Sequence, residues 1–340
     1  MLLKLLVTLV VLATATFALS ESESASATTF PDPLPLTGPF FFVHDPSLVQ
    51  RESDGKYFLF TTHDKAGIIT ATNLEGPWTE VGSILPNNST IQLPGRDDIW
   101  APDVSFHHDQ YYAYYAVSTF GSQNSAIGLA TSRTMEPGTW VDHGLVFNST
   151  TGDAFNAIDP NLSIDEKGKP VLSFGSFWDD IFQLSLTDNL TAVTSAPIGV
   201  SFNSTLPNPE EGAFIWKHDE FYYLFISSGL CCGFNASALP PPGNEYKVFV
   251  GRSHSARGPF LDKDGVDMRQ TGGTLVLGSH GNVYAPGGQV IFTDRKTGKD
   301  VFVYHYVPAI DSPAPFDDEF SSLGLNGIDW SSGWPVLTEL

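Results

Sequence analysis

Cysteine is almost absent from this chain. The two that occur, Cys231 and Cys232, are neighbours, so no disulfide framework ties distant segments together and the fold must rest on an apolar core. Adjacent Cα atoms sit closer than most disulfides prefer. The pair reads either as two buried thiols or, in an oxidising compartment, as a bonded ring that stiffens the turn Gly229–Gly233; the ring is the favoured reading because the chain carries export signals. Basic residues are also scarce: 17 Lys and Arg stand against 38 Asp and Glu, a net charge of −21. A surface this acidic repels phosphate backbones and anionic lipid, which argues against nucleic acid or membrane partners and leaves a neutral substrate compatible. Beyond the N-terminus no apolar run is long enough to cross a bilayer, and long windows of helical periodicity are missing.

Apolar side chains are plentiful. Hydrophobic residues make up 41% and aromatics 13%, with only 16% charged, which suits a large packed core and excludes a disordered chain. The start of the chain reads as a signal peptide over residues 1–20: Lys4 supplies positive charge, Leu5–Ala18 is the apolar stretch, and Ala18 and Ser20 are small residues suited to cleavage. Asn88, Asn148, Asn189, Asn203 and Asn235 each sit in an N-x-S/T triplet, in keeping with a secretory route and an extracellular protein. Residues 21–37 are rich in Ser, Thr and Pro and read as an extended leader. The folded domain is expected over 38–340, as a monomer.

Within that domain a pattern recurs. A short turn holding a carboxylate or proline leads into apolar alternation; about ten residues later a polar turn leads into an aromatic or apolar strand. The first halves are Val43–Val49, Trp100–Phe106, Ile158–Ile164, Glu211–Lys217 and Tyr284–Val290. Their partners are Tyr57–Phe60, Tyr111–Tyr115, Val171–Phe174, Phe221–Phe225 and Val301–Tyr304. The period-two alternation and aromatic bias specify strands. Five such units, spaced by roughly fifty to seventy-five residues, predict an all-β, five-bladed β-propeller rather than a β-sandwich. In that architecture the innermost strand of every blade starts at one central funnel, which gathers residues far apart in sequence.

The inner-strand starts carry Asp45, Asp103, Asp159 and Glu211. A charge at the edge of an apolar strand is costly unless it is satisfied or used. Hydrolysis of a glycosidic bond needs two carboxyl groups flanking the linkage, one to protonate the leaving oxygen and one to activate water or attack. Glu210 competes with Glu211, but strand neighbours face opposite ways, so only one can enter the funnel. Asp103 reads as a structural carboxylate more readily than as a pocket residue.

These segments resemble glycoside hydrolase family 43, in particular its endo-1,5-α-L-arabinanases. The resemblance is carried by His44-Asp45-Pro46-Ser47, Trp100-Ala101-Pro102-Asp103, Asn156-Ala157-Ile158-Asp159-Pro160 and Glu210-Glu211-Gly212-Ala213-Phe214-Ile215. Phe174-Gly175-Ser176-Phe177-Trp178, Asn326-Gly327-Ile328-Asp329-Trp330 and Gly333-Trp334-Pro335-Val336 complete the ordered set. The resemblance implies an inverting hydrolase of plant cell-wall arabinan or a related polysaccharide. Asp45 would be the general base, Glu211 the general acid, and Asp159 the third carboxylate that orients the acid and keeps its pKa high. His44, Trp100, Asn156, Phe120, Ser176 and Trp178 are the candidate sugar-binding residues. The family also implies a calcium-like ion in the central channel near a histidine of the last blade, at the position of His305; Gly288 stands where many relatives carry a histidine. Asn161 lies in a sequon inside one of these motifs and is expected to carry no glycan. Exo-acting α-L-arabinofuranosidases and β-xylosidases share the scaffold, and a carbohydrate-binding propeller without catalysis would share the aromatics but not the three carboxylates.

Overall fold

The computed structural model describes residues 29–205, 209–234, 236–310 and 312–340. Its strands form five antiparallel sheets, each a meander of four consecutive strands. Blade 1 holds β1 (Ser47–Gln50), β2 (Tyr57–Thr61), β3 (Gly67–Ala71) and β4 (Thr79–Ser83). Blade 2 holds β5 (Trp100–His107), β6 (Gln110–Val117), β7 (Ser125–Ser132) and β8 (Val141–Ser149). Blade 3 holds β9 (Asn161–Ile164), β10 (Pro170–Phe174), β11 (Ile181–Ser185) and β12 (Ile198–Ser201). Blade 4 holds β13 (Glu210–His218), β14 (Phe221–Ser228), β15 (Lys247–Ser253) and β16 (Thr274–Leu277). Blade 5 holds β17 (Val283–Asp294), β18 (Lys299–Pro308), β19 (Ser322–Asp329) and β20 (Val336–Thr338). Two 3₁₀ turns, Met268–Gln270 and Asp318–Phe320, are the helical segments among the described residues, and no helix there is long and apolar enough to cross a membrane.

The near-continuous apolar character of the second strands follows from burial on both faces. In β2, Phe58 and Phe60 pack toward blade 2 while Tyr57 and Leu59 pack toward blade 5. In β6, Tyr111, Ala113 and Tyr115 face blade 1 and Tyr112 and Tyr114 face blade 3. In β14, Tyr222, Leu224 and Ile226 join a core with blade 3, and Tyr223 and Phe225 join one with blade 5. Five separate cores result, one between each pair of neighbouring blades including 5 and 1, and this closes the ring. Each large side chain so buried contributes about 1.5–3 kcal/mol.

Residues 29–37 run as an extended segment tied to the propeller: the Leu34 N–H donates to the Leu325 carbonyl at 2.9 Å and Asn326 Nδ2 donates to the Asp32 carbonyl at 3.0 Å. Leu34, Leu36 and Phe40 pack into the core between blades 1 and 5. Proline-rich backbone suits this extended course, and its spaced apolar residues supply the anchor. Residues 1–28, with the expected signal peptide and the rest of the leader, lie outside the described residues.

A repeated backbone feature sets the funnel. Asp45, Ala101, Asp159, Gly212 and Ala285 occupy equivalent places at the inner-strand starts, and all have φ between 42° and 60°. Four of the five precede a proline, which forces the preceding residue out of the right-handed helical region. Left-handed backbone at a non-glycine residue costs on the order of 1–3 kcal/mol and recurs at functional sites. In blades 1, 2 and 3 the side chain two residues on ties the blade to the next. Ser47 Oγ accepts the Val104 N–H at 3.0 Å, Asp103 Oδ2 the Leu162 N–H at 2.8 Å, and Asn161 Oδ1 the Ile215 N–H at 2.9 Å. Asp103 therefore belongs to this inter-blade tier, and Ala101 is blade 2's counterpart of Asp45. Asn161 is 3% exposed and its amide also donates to Asp103, which leaves no room for a glycan.

Candidate active site

Asp45, Asp159 and Glu211 come together from blades 1, 3 and 4, close enough for their charges to act on one another. Asp45 Oδ2 lies 3.0 Å from His44 Nδ1 and accepts from Thr62 Oγ1 at 2.8 Å. Thr62 Oγ1 in turn accepts the Ala101 N–H at 2.7 Å, so the carboxylate is braced against blade 2. The His44 ring stacks on His305 at 3.8 Å. Burial alone would push the Asp45 carboxyl up; the His44 imidazole against it, with help from His305 and Thr62, holds it well below the usual carboxylate range. Burial works the other way on His44, yet Asp45 raises its pKa overall.

Glu211 meets the opposite environment. It is 8% exposed, and burial, with the Asp45 charge added, pushes its carboxyl up against the opposing hydrogen bonds from Ser176 and Tyr246. Ser176 Oγ donates to Glu211 Oε2 at 2.6 Å. Asp159 Oδ2 accepts the Gly212 N–H at 3.1 Å; burial, then the Glu211 and Asp45 charges, raise it well above the carboxylate range. The raised pKa of Glu211 was expected to come from Asp159. Burial is the larger cause, and Asp159 is itself raised.

Glu210 points elsewhere. Its Oε2 accepts from Ser201 Oγ at 2.5 Å, and its N–H donates to Asp180 Oδ1 at 3.1 Å. Burial pushes this carboxyl up to about 8.

Two candidate sugar-binding residues take other places. Asn156 is 4% exposed and lies beside Ser149. Ser176 is 3% exposed and spends its hydroxyl on Glu211. His44 faces Asp45. Trp100, Phe120 and Trp178 stand at the mouth: Trp100 half-buried at the start of β5, Phe120 84% exposed just past the end of β6, and Trp178 43% exposed just past β10.

Sequence reasoning missed four residues. Tyr246, 2% exposed, hydrogen-bonds Glu211 through its hydroxyl. Its ring lies over Gly287, where a Cβ would come within 2.0 Å of it, so that glycine is a weak signal in hindsight. Gln289 donates to the Gly212 carbonyl at 2.7 Å and accepts from Ser227 Oγ at 2.7 Å, linking blades 4 and 5. Thr62 and Asp318, which acts on His44, sit in segments without a motif.

His305 is fully buried, and burial pushes its pKa well below the usual histidine range. Its Nδ1 accepts the Asp45 N–H at 3.1 Å, so the neutral ring carries its proton on Nε2, an atom with no protein partner. That orphaned donor leaves a place for a water molecule, and a cation nearby would draw on oxygen ligands such as Asp45, in line with calcium's preference. Gly288 is excluded as a ligand position. A Cβ there would lie 2.7 Å from His305 Nδ1 and 2.8 Å from Asp45 Oδ1, at φ +59°. Asp45, Asp103, Asp159 and Gln289 line a cavity of about 40 Å³ in the channel.

One carboxyl pushed toward its ionised form beside others pushed toward their protonated form, in the mouth of a propeller, suits the splitting of a glycosidic bond; fold and site together define a glycoside hydrolase. Residues 38–335 match the model of glycosyl hydrolases family 43, and the chain belongs to that family. It is 50% identical over 295 residues to the arabinan endo-1,5-α-L-arabinosidase A of Aspergillus niger, covering 86% of this chain and 90% of that protein. Among solved structures it resembles an exo-1,5-α-L-arabinanase from a bovine ruminal metagenomic library (TM-score 0.77, 33% identity, 87% of this chain and 97% of the other). It also resembles the Cellvibrio cellulosa α-L-arabinanase complexed with arabinohexaose (TM-score 0.76, 30% identity, 87% and 95%).

Proposed function

We propose that the protein is a secreted, monomeric, endo-acting arabinanase that cleaves α-1,5-linked L-arabinan with inversion. Asp45 is the general base. Ionised under the influence of His44, it takes a proton from water as that water attacks the anomeric carbon. Glu211, its carboxyl pushed up by burial, is the general acid that gives its proton to the departing oxygen, and Ser176 and Tyr246 hold it in place. Asp159 fixes the backbone at Gly212 and orients the acid. Trp100, Phe120 and Trp178 offer aromatic faces to successive sugars. A calcium-like ion near His305 would supply positive charge that favours the ionised form of Asp45.

The observation that carries the reading is the pairing of the two carboxyl groups in one funnel, Asp45 against His44 and Thr62 and Glu211 buried against Ser176, surroundings that push the first carboxyl down and the second up. The name of the Aspergillus niger relative supports endo action; the exo-1,5-α-L-arabinanase of similar structure supports the rival exo reading. Product analysis on debranched arabinan decides between them. Oligomers appear first for an endo enzyme and arabinose alone for an exo enzyme, and Glu211→Gln gives neither.

A further inference from the structure

Cys231 and Cys232 are bonded to each other, and their place in the fold is more informative than the bond. The chain leaves β14 at Ser228, across from Glu210, and at once forms a short ladder: the Leu230 N–H donates to the Asn244 carbonyl and the Tyr246 N–H to the Leu230 carbonyl, both at 2.9 Å. Tyr246 is the residue whose hydroxyl holds Glu211. On the far side of the disulfide, the Gly233 and Phe234 N–H groups donate to the two oxygens of Asp318 at 2.9 and 3.2 Å. Asp318 opens the turn that ends at Ser321, whose carbonyl accepts the Val43 N–H at 3.0 Å. Val43 precedes His44 and Asp45, and the Asp318 charge acts on His44. Leu230 thus leads to the acid, Gly233 leads to the base, and the joint between them is the disulfide.

We propose that the Cys231–Cys232 disulfide is a positioning element that fixes the supports of Glu211 and Asp45 relative to each other. The inference rests on the acid and base roles given above. Ring closure between neighbouring residues removes rotational freedom from the peptide between them, so the ladder to Tyr246 and the clamp on Asp318 move as one piece. Without the bond each half relaxes separately. Displacement of a catalytic group by about an ångström lowers turnover by up to about a hundredfold, while sugar contacts on the other blades stay in place. The expected signature is therefore a loss in kcat with KM little changed.

The test compares the oxidised enzyme, the enzyme treated with a phosphine reductant and then reoxidised, and the Cys231→Ser/Cys232→Ser double variant, all on debranched arabinan. Amide hydrogen exchange is followed over Leu230–Tyr246. The proposal expects kcat to fall about tenfold or more on reduction and in the variant, recovery on reoxidation, and faster exchange confined to that loop and to the strand start at Val43. Unchanged kcat, or exchange that rises equally throughout the propeller, would overturn it. If the oxidised enzyme does not turn over arabinan, the functional reading has failed; exchange at the Leu230, Gly233 and Tyr246 amides on reduction then decides the brace alone, a local rise supporting it and no rise refuting it.

Discussion

Replacing Glu210 with Gln should stabilise the protein above neutral pH while leaving it active. Glu210 is 3% exposed, and burial raises its carboxyl to about 8 from the ordinary value of 4.5. In the folded state it stays protonated up to about pH 8; in the unfolded chain it ionises near 4.5. Its contribution to stability is thus fully present below the unfolded value and is lost as the pH rises toward the folded one, because over that window the native state binds a proton that the unfolded chain does not. Each unit of displacement corresponds to about 1.4 kcal/mol, so roughly 3 kcal/mol of stability disappears between pH 5 and 8. Asp180, raised to about 6 mainly by burial, adds a smaller slope of the same sign in both proteins. Glutamine keeps an acceptor for Ser201 and does not titrate. The difference in Tm between variant and wild type should therefore grow by on the order of 5 °C between pH 5 and pH 8, in favour of the variant. Scanning calorimetry at a fixed rate, at half-unit pH steps, measures it. Parallel pH profiles would show that Glu210 ionises in the folded state and would refute the reasoning; a loss of activity comparable to that of Glu211→Gln would reassign the acid.

Other substitutions separate the parts of the site. Glu211→Gln should lower kcat on arabinan by about 10²–10⁴, the usual worth of a general acid, with circular dichroism and Tm showing an intact fold. Tyr246→Phe removes a donor that favours the ionised form of Glu211, so the alkaline limb of kcat/KM should move to higher pH; a shift to lower pH would contradict the assignment. Gly287→Ala puts a methyl 2.0 Å from the Tyr246 ring, and overpacking of this kind costs about 1–3 kcal/mol or more, read as a lower denaturant midpoint accompanied by reduced activity.

The propeller was legible because its second strands are buried on both faces, so they print unbroken apolar, largely aromatic runs such as Tyr111–Tyr115 and Phe221–Phe225. Asp45 and Asp159 were legible for a related reason: a carboxylate before proline, at a left-handed bend, repeats in two blades. Asp103, read as structural, ties blade 2 to blade 3. The equivalent bend in blade 2 is Ala101, and two residues of offset turn a funnel position into an inter-blade tie. Tyr246, Thr62 and Asp318 reach the site from loops or strand ends, where no periodicity marks which side chain turns inward. Ser176 was recognised by its motif, but only the fold shows that its hydroxyl is taken by Glu211. The extended course of the leader was legible from its Ser, Thr and Pro, but composition does not show that Leu34 and Leu36 anchor it to blades 1 and 5.

The stereochemistry of the first turnover tests the paired roles of Asp45 and Glu211 most directly. Proton NMR of debranched arabinan in D₂O, recorded before mutarotation, should show the β-anomer at the newly formed reducing end for the wild type and no new reducing end for Asp45→Asn. An α-anomer formed first would mean that a carboxylate attacks the sugar itself, and would contradict a water-activating role for Asp45.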